Sequence, residues 1–176
     1  MPLGLNRALM VRTANRLRAS LARDELSGLP LIAALTEADQ RELLEFGAGH
    51  LAAVTLCLEA WARASAASAS ASDSRSAAEL QRLALGEVAR LVDAHVRRTD
   101  LLGLLDASTL LVLAPGLEPV GGGSLAERLR GLLASCSVEV EGQLLPVSVA
   151  IGVTYRSSPA SWTARNLPAQ ANATAA

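Results

Sequence analysis

The chain contains no lysine: every one of its sixteen basic residues is arginine. That excludes a P-loop lysine, a Schiff base and any lysine acting as a general base. Aromatic residues make up only 2% of the sequence, too few for a stacking platform that would hold single-stranded nucleic acid or sugar. The formal net charge is −1, without the basic excess of a protein that binds a nucleic-acid polymer. No apolar run reaches the roughly eighteen residues of a membrane span, so none is expected. Only two histidines occur, His50 and His95, with no cysteine or acid at metal-ligand spacing, so no zinc site is expected. The two cysteines, Cys57 and Cys136, lie far apart inside apolar runs. They read as buried thiols of a reducing compartment, and the expected location is the cytoplasm.

What is present suits one domain of ordinary size with a tail: 176 residues, 51% of them hydrophobic. Residues 1–22 carry Arg7, Arg12, Arg16 and Arg18 and no acid, and Leu5, Leu9, Thr13, Leu17 and Leu21 recur at helical spacing. An organellar presequence has the same composition. Because this helix runs directly into the next motif, it reads instead as a lead helix that packs on the domain or on a second copy. A turn with Gly28 and Pro30 follows, then helix-prone segments over 31–35 and 37–46, then the continuous apolar run Leu51 to Leu58, fit for a buried strand. From 64 to 78, thirteen of fifteen residues are Ala or Ser, which reads as a mobile loop.

Helical spacing returns over Glu79 to Val96, with Leu80, Ala84, Val88, Leu91 and His95 on one face. Leu101 to Leu105 and Thr109 to Ala114 flank Asp106-Ala107-Ser108 as a hairpin. A glycine-rich break at Gly121 to Gly123 precedes a short helix over Leu125 to Leu133. Val138 to Val140 and Val147 to Val153 are expected to form a final strand pair joined near Gly142. Trp61 reads as core, and the Pro/Ala/Ser-rich segment 157–176 as a flexible tail. The expected fold is α/β (α+β): a central mixed, mainly antiparallel sheet flanked by helices, spanning 23–156.

The order of these signals resembles the GGDEF domain, the fold of bacterial diguanylate cyclases. Asp24-Glu25-Leu26-Ser27-Gly28-Leu29-Pro30 matches the turn after the lead helix, and Cys57-Leu58-Glu59-Ala60-Trp61 falls where a strand ends in the family's metal-binding acid. Arg97-Arg98-Thr99-Asp100 matches an R-x-x-D element, and Asp106-Ala107-Ser108-Thr109-Leu110 occupies the signature hairpin. Ala126-Glu127-Arg128-Leu129-Arg130 and Val147-Ser148-Val149-Ala150-Ile151-Gly152-Val153 close the match, which covers roughly Arg12 to Tyr155.

The resemblance implies both a loss and a retention. Condensing two GTP molecules needs Mg²⁺ on hard oxygen ligands, and the first metal position holds the thiol of Cys57. The signature glycines fall on Asp106 and Ala107 and the signature acids on Ser108 and Thr109, leaving Glu59 as a lone carboxylate nearby. The family's phosphate-steadying lysine has no counterpart, and near the nucleotide-reading position only Asp73 is acidic. The resemblance thus implies no catalytic residues, no bound metal and no cofactor.

The R-x-x-D element in the family is the inhibitory site for the product, cyclic di-GMP. On that pattern Arg97, Asp100, Arg128 and Arg98 would hold the nucleotide. Asp100 would accept the two N–H groups of a guanine edge, and the arginines would take phosphate or the Hoogsteen edge. Taken without the family, Arg97 and Asp100 are a helix-end ion pair worth at most about 1 kcal/mol, and Arg128 is a solvated helix residue. The implied function is a receptor that regulates a partner protein or its own dimerisation. The alternative is a non-binding interaction scaffold.

Overall fold

Alternation decides the layering, because successive side chains of a strand point to opposite faces. In the strand β1 (Leu51–Leu58), Ala52, Val54, Leu56 and Leu58 are buried in one cluster, and Leu51 and Ala53 in a second on the other side. The strand β3 (Thr109–Pro115) repeats this, with Leu110, Val112 and Ala114 on the first face and Leu111 and Leu113 on the second. A strand covered on both faces has no polar side to show, which is why both sequences are continuous apolar runs. The structure, a computed structural model, describes residues 3–58, 77–140 and 142–156.

The sheet runs β2-β3-β1-β6, with β2 at Leu101–Leu104 and β6 at Val149–Arg156, and its strand pairs are antiparallel. The expected hairpin is present: Leu104 pairs with Leu110, and the Leu105 N–H reaches the Thr109 carbonyl at 2.9 Å. Along the edge of β2 the chain passes at Pro30 and Leu31, with a parallel bridge from Leu31 to Leu104. Gly103 permits that approach, since a Cβ there would stand 2.3 Å from the Pro30 carbonyl oxygen. The loop thereby covers an edge that would otherwise offer unpaired backbone groups.

On the second face lie α1 (Leu3–Ser20) and α2 (Glu37–Phe46), joined by the buried Thr13, whose hydroxyl donates to Glu42 at 3.2 Å, and by the Arg16–Glu42 ion pair. Thr36 starts α2 with a capping box: the Asp39 N–H donates to the Thr36 hydroxyl at 3.2 Å and the Thr36 N–H to the Asp39 carboxylate at 3.1 Å. On the first face lie α3 (Ala77–Asp93), with Ala84, Leu85, Val88 and Val92 buried, and α4 (Pro119–Leu133), with Leu125, Leu129 and Leu133 buried. Among the described residues no helix is long and apolar enough to cross a membrane.

Two expectations are overturned. Val138 to Val140 does not pair with Val147 to Val153. The strand β4 (Ser137–Val140) pairs with β5 (Gln143–Pro146) across a two-residue connection where Gly142 takes φ of +77°, while β6 joins the main sheet beside β1. The turn lies at Gly142 as expected, but the partner strand differs, because Gln143-Leu144-Leu145-Pro146 lacks the β-branched residues that mark a strand. Gly121 to Gly123 is not a break but lies inside the first turns of α4, which opens with Pro119. The glycines serve packing: a Cβ on Gly122 would stand 2.4 Å from a ring carbon of Tyr155. The Ala/Ser loop except Ala77 and Ala78, the tail 157–176, and Glu59, Trp61 and Asp73 all lie outside the described residues.

Candidate functional site

The helix α3 stops at Asp93, and the chain turns twice before entering β2. The His95 N–H donates to the Val92 carbonyl at 2.8 Å, and the Asp100 N–H to the Arg97 carbonyl at 3.0 Å. The second turn is closed from the other side by the Asp100 side chain, whose Oδ2 accepts the Arg97 N–H at 2.8 Å. Thr99 also donates its hydroxyl to Oδ1 at 3.4 Å. Asp100 is 1% exposed, whereas Arg97 and Arg98 are exposed. The R-x-x-D spacing therefore has a local cause: it lets the fourth residue cap the first while the guanidinium side chains stand outside. Burial raises the Asp100 pKa above the ordinary carboxylate value, against the Arg97 N–H, the Arg97 charge, the Thr99 hydroxyl and the Arg18 charge, which all lower it.

The lead helix holds the same turn. Arg18 donates from both Nη atoms to the Arg98 carbonyl at 3.2 Å and from Nη2 to the Asp100 carbonyl. Beside it lies a groove of about 680 Å³ with Arg18, Arg23, Arg90, Arg97, Arg98 and Asp93 on its walls. Leu29, Val96 and Leu102 supply apolar surface. A second groove of about 620 Å³, shared by Arg97, Arg98, Thr99, Arg7 and Met10, opens on the same turn. Five guanidinium groups against one carboxylate make the first groove a focus of positive potential in a chain whose net charge is −1.

Arg128 comes to the loop just ahead of the turn, donating from Nη2 to the His95 carbonyl at 2.7 Å, and lines neither groove. The structure thus gathers Arg97, Arg98 and Asp100 in one turn and sets Arg128 against the preceding residues. Sequence reading did not single out Arg18, Arg23 or Arg90 for this place. The only signal pointing to Arg18 is the arginine-rich, acid-free lead segment, and nothing local says that it reaches a turn 80 residues away.

The signature hairpin differs in kind. Asp106 and Ala107 are exposed, and Asp106 Oδ1 accepts the Ser108 N–H at 2.9 Å and the Ser108 hydroxyl at 3.2 Å, an Asx turn that organises only its own loop. Thr109 and Leu110 begin β3 and are buried, Leu110 completely. Thr109 sits directly across from Cys57, and the Leu58 N–H reaches the Ser108 carbonyl at 3.1 Å. The end of β1 and the hairpin therefore meet as the family order implies, and what they bring together there is a thiol and a hydroxyl.

No family model matches the chain, and no curated protein does. Solved structures do match. A sensory box/GGDEF family protein from Caulobacter crescentus superposes with a TM-score of 0.64 at 24% identity, over 86% of this chain and 93% of that one. The diguanylate cyclase SiaD of Pseudomonas aeruginosa, in complex with its activator SiaC, gives 0.68 at 22% identity, over 98% of this chain and 64% of that one. The GGDEF domain of DgcB from Caulobacter crescentus, in complex with c-di-GMP, gives 0.65 at 13% identity, over 87% of this chain and 86% of that one. At these identities the likeness is one of fold, and the chain has the GGDEF-domain, diguanylate cyclase fold.

Proposed function

We propose that the chain is a catalytically inactive GGDEF-type domain that serves as a receptor for cyclic di-GMP, regulating a partner protein or its own dimerisation. The observation that carries the reading is the turn 97–100. Two adjacent exposed guanidinium groups stand on a backbone fixed by a buried carboxylate, and neither makes an ion pair among the described residues. Arginine suits a ligand of this class, since its planar fork takes phosphate and the guanine Hoogsteen edge and its face stacks on a purine. Arg97 and Arg98 make the contacts. Asp100 is the positioning residue behind them, with its carboxylate turned inward, and Arg128 reaches the ligand by leaving the His95 carbonyl. DgcB, which shares this fold, is solved with c-di-GMP, and SiaD, which also shares it, with an activator protein.

Inactivity is supported by the side chains at the other turn. Backbone approach to a triphosphate is obstructed where Asp106 and Ala107 replace glycines, and neither the thiol of Cys57 nor the hydroxyl of Thr109 is a carboxylate ligand for Mg²⁺. One observation favours the second reading, a non-binding scaffold. The Asp100 carboxylate is buried and turned toward the Arg97 N–H and the Thr99 hydroxyl, so it is not presented to a guanine edge.

Calorimetric titration with cyclic di-GMP separates the two. A receptor gives saturable heat with a dissociation constant of about 1 μM, or about −8 kcal/mol, and Arg97→Ala weakens it by about 2 kcal/mol. A flat titration at high ligand concentration leaves the scaffold. Incubation with GTP and Mg²⁺ is expected to yield no product, and turnover would overturn the inactive assignment.

A further inference from the structure

The turn that presents Arg97 and Arg98 is held by a residue from the other end of the domain. Arg18, near the C-terminus of α1, spends its donors on neutral oxygens alone: Asn15 Oδ1 at 2.9 Å and the carbonyls of Arg98 and Asp100. It forms no ion pair among the described residues, although Asp93 and Asp100 lie close enough to attract it. It is half-buried and faces Arg23, Arg90, Arg97 and Arg98 across the groove. Of these, Arg23 donates to the Gly28 carbonyl at 2.7 Å and Arg90 pairs with Glu87. A guanidinium that is partly removed from water and bonded only to neutral acceptors gains most from an anion, because charge-assisted bonds to phosphate are about twice as strong as neutral ones.

We propose that Arg18 is recruited by a ligand carrying two phosphodiester charges, so that occupancy of the groove locks the lead helix α1 onto the domain. The inference rests on the receptor reading and assigns its output: α1, and whatever is joined to it, is the element that feels the ligand. The ligand's first charge is taken by Arg97 and Arg98 on the turn. Its second lies within the groove that Arg18 and Arg23 close from the side of α1. If affinity depends on α1 being docked, docking must depend on the ligand by the same factor, since coupling between two equilibria is reciprocal.

That reciprocity makes the test quantitative. Cyclic di-GMP is titrated by calorimetry into the full chain and into Arg18→Gln, which keeps an amide donor for the carbonyls but removes the charge. Hydrogen exchange of the α1 amides is then followed with and without saturating nucleotide. Arg18→Gln is expected to bind about 10-fold more weakly, in line with the loss of one charged bond to phosphate. Exchange across α1 is expected to slow on binding by a factor of similar size in the native chain, and not in the variant. Should Arg18→Gln fail to fold, exchange of the α1 amides in the native chain, with and without saturating nucleotide, carries the test alone.

Equal affinities for native and variant chains, or unchanged α1 exchange at saturation, overturn the proposal while leaving the receptor intact. No heat from the native chain overturns both, and the calorimetry tells the two failures apart.

Discussion

Two turns flank β2, each built around an aspartate, and they differ in where that aspartate sits. At 97–100 the carboxylate of Asp100 is buried beneath the turn and bonded to the Arg97 N–H, so the loop is fixed from inside and its arginines are free to face outward. At 105–109 the carboxylate of Asp106 lies on the surface and holds only Ser108, so the loop is shaped locally and owes its position to Leu110 in the core. The proposed reading uses only the first turn as a ligand site. Physically, the first turn presents two exposed guanidinium groups on a backbone fixed from within, and the second is a hairpin connection organised by its own Asx turn.

The largest effect expected from breaking this contrast is at the base of the hairpin. Leu110→Ala removes a fully buried side chain packed between β1 and β2 and is expected to cost about 2–5 kcal/mol in chemical denaturation. A loss under about 1 kcal/mol would mean that the hairpin is not anchored by the core.

The buried aspartate comes next. Asp100→Ala leaves the Arg97 N–H without its partner and is expected to cost about 1–3 kcal/mol, whereas Asp100→Asn keeps an acceptor there and costs less. The pH dependence sharpens the assignment. Because burial holds the Asp100 pKa above its unfolded value, its contribution to stability is full below the ordinary carboxylate range and is lost as pH rises through the raised value. Asp24 runs the other way. Burial works to raise its pKa, but the Ser27 N–H and hydroxyl, the Arg82 charge and the Leu26 N–H together lower it, so its contribution is lost as pH falls. Stability of the native chain relative to Asp100→Asn should therefore decline with rising pH, and relative to Asp24→Asn it should increase. Parallel curves for the native chain and Asp100→Asn would place Asp100 in a solvated setting and remove the contrast between the turns.

The smallest effect is at the exposed loop. Asp106→Ala is expected to cost under about 1 kcal/mol, the scale of a local side-chain cap, with no change in nucleotide binding. A loss of binding there would mean that the hairpin still takes part in a site.

The parts of this architecture that depend on neighbouring residues were legible in advance. The run Leu51 to Leu58 became β1 residue for residue, the apolar flanks of Asp106-Ala107-Ser108 paired as a hairpin, and the segment 37–46 became α2. The candidate turn was legible as a motif but not as a geometry. The family resemblance implied a carboxylate at Asp100 open to a guanine edge, while in the structure that carboxylate accepts the Arg97 N–H from within the turn. The glycines at 121–123 suggested a break, because sequence shows the missing side chains but not the Tyr155 ring that fills their place.

By itself, then, the sequence determined which segments could be buried strands, where the helices present an apolar face, and that an arginine-rich turn precedes a hairpin. These follow from short-range steric preference and from the periodicity of apolar residues. Only the tertiary structure decided that β6 lies beside β1 rather than β4, that Asp100 supports its turn from within, and that Arg18 of the lead helix closes on the backbone of that turn. Those outcomes depend on which layer covers which face and on contacts between residues about 80 apart, and no local pattern encodes them.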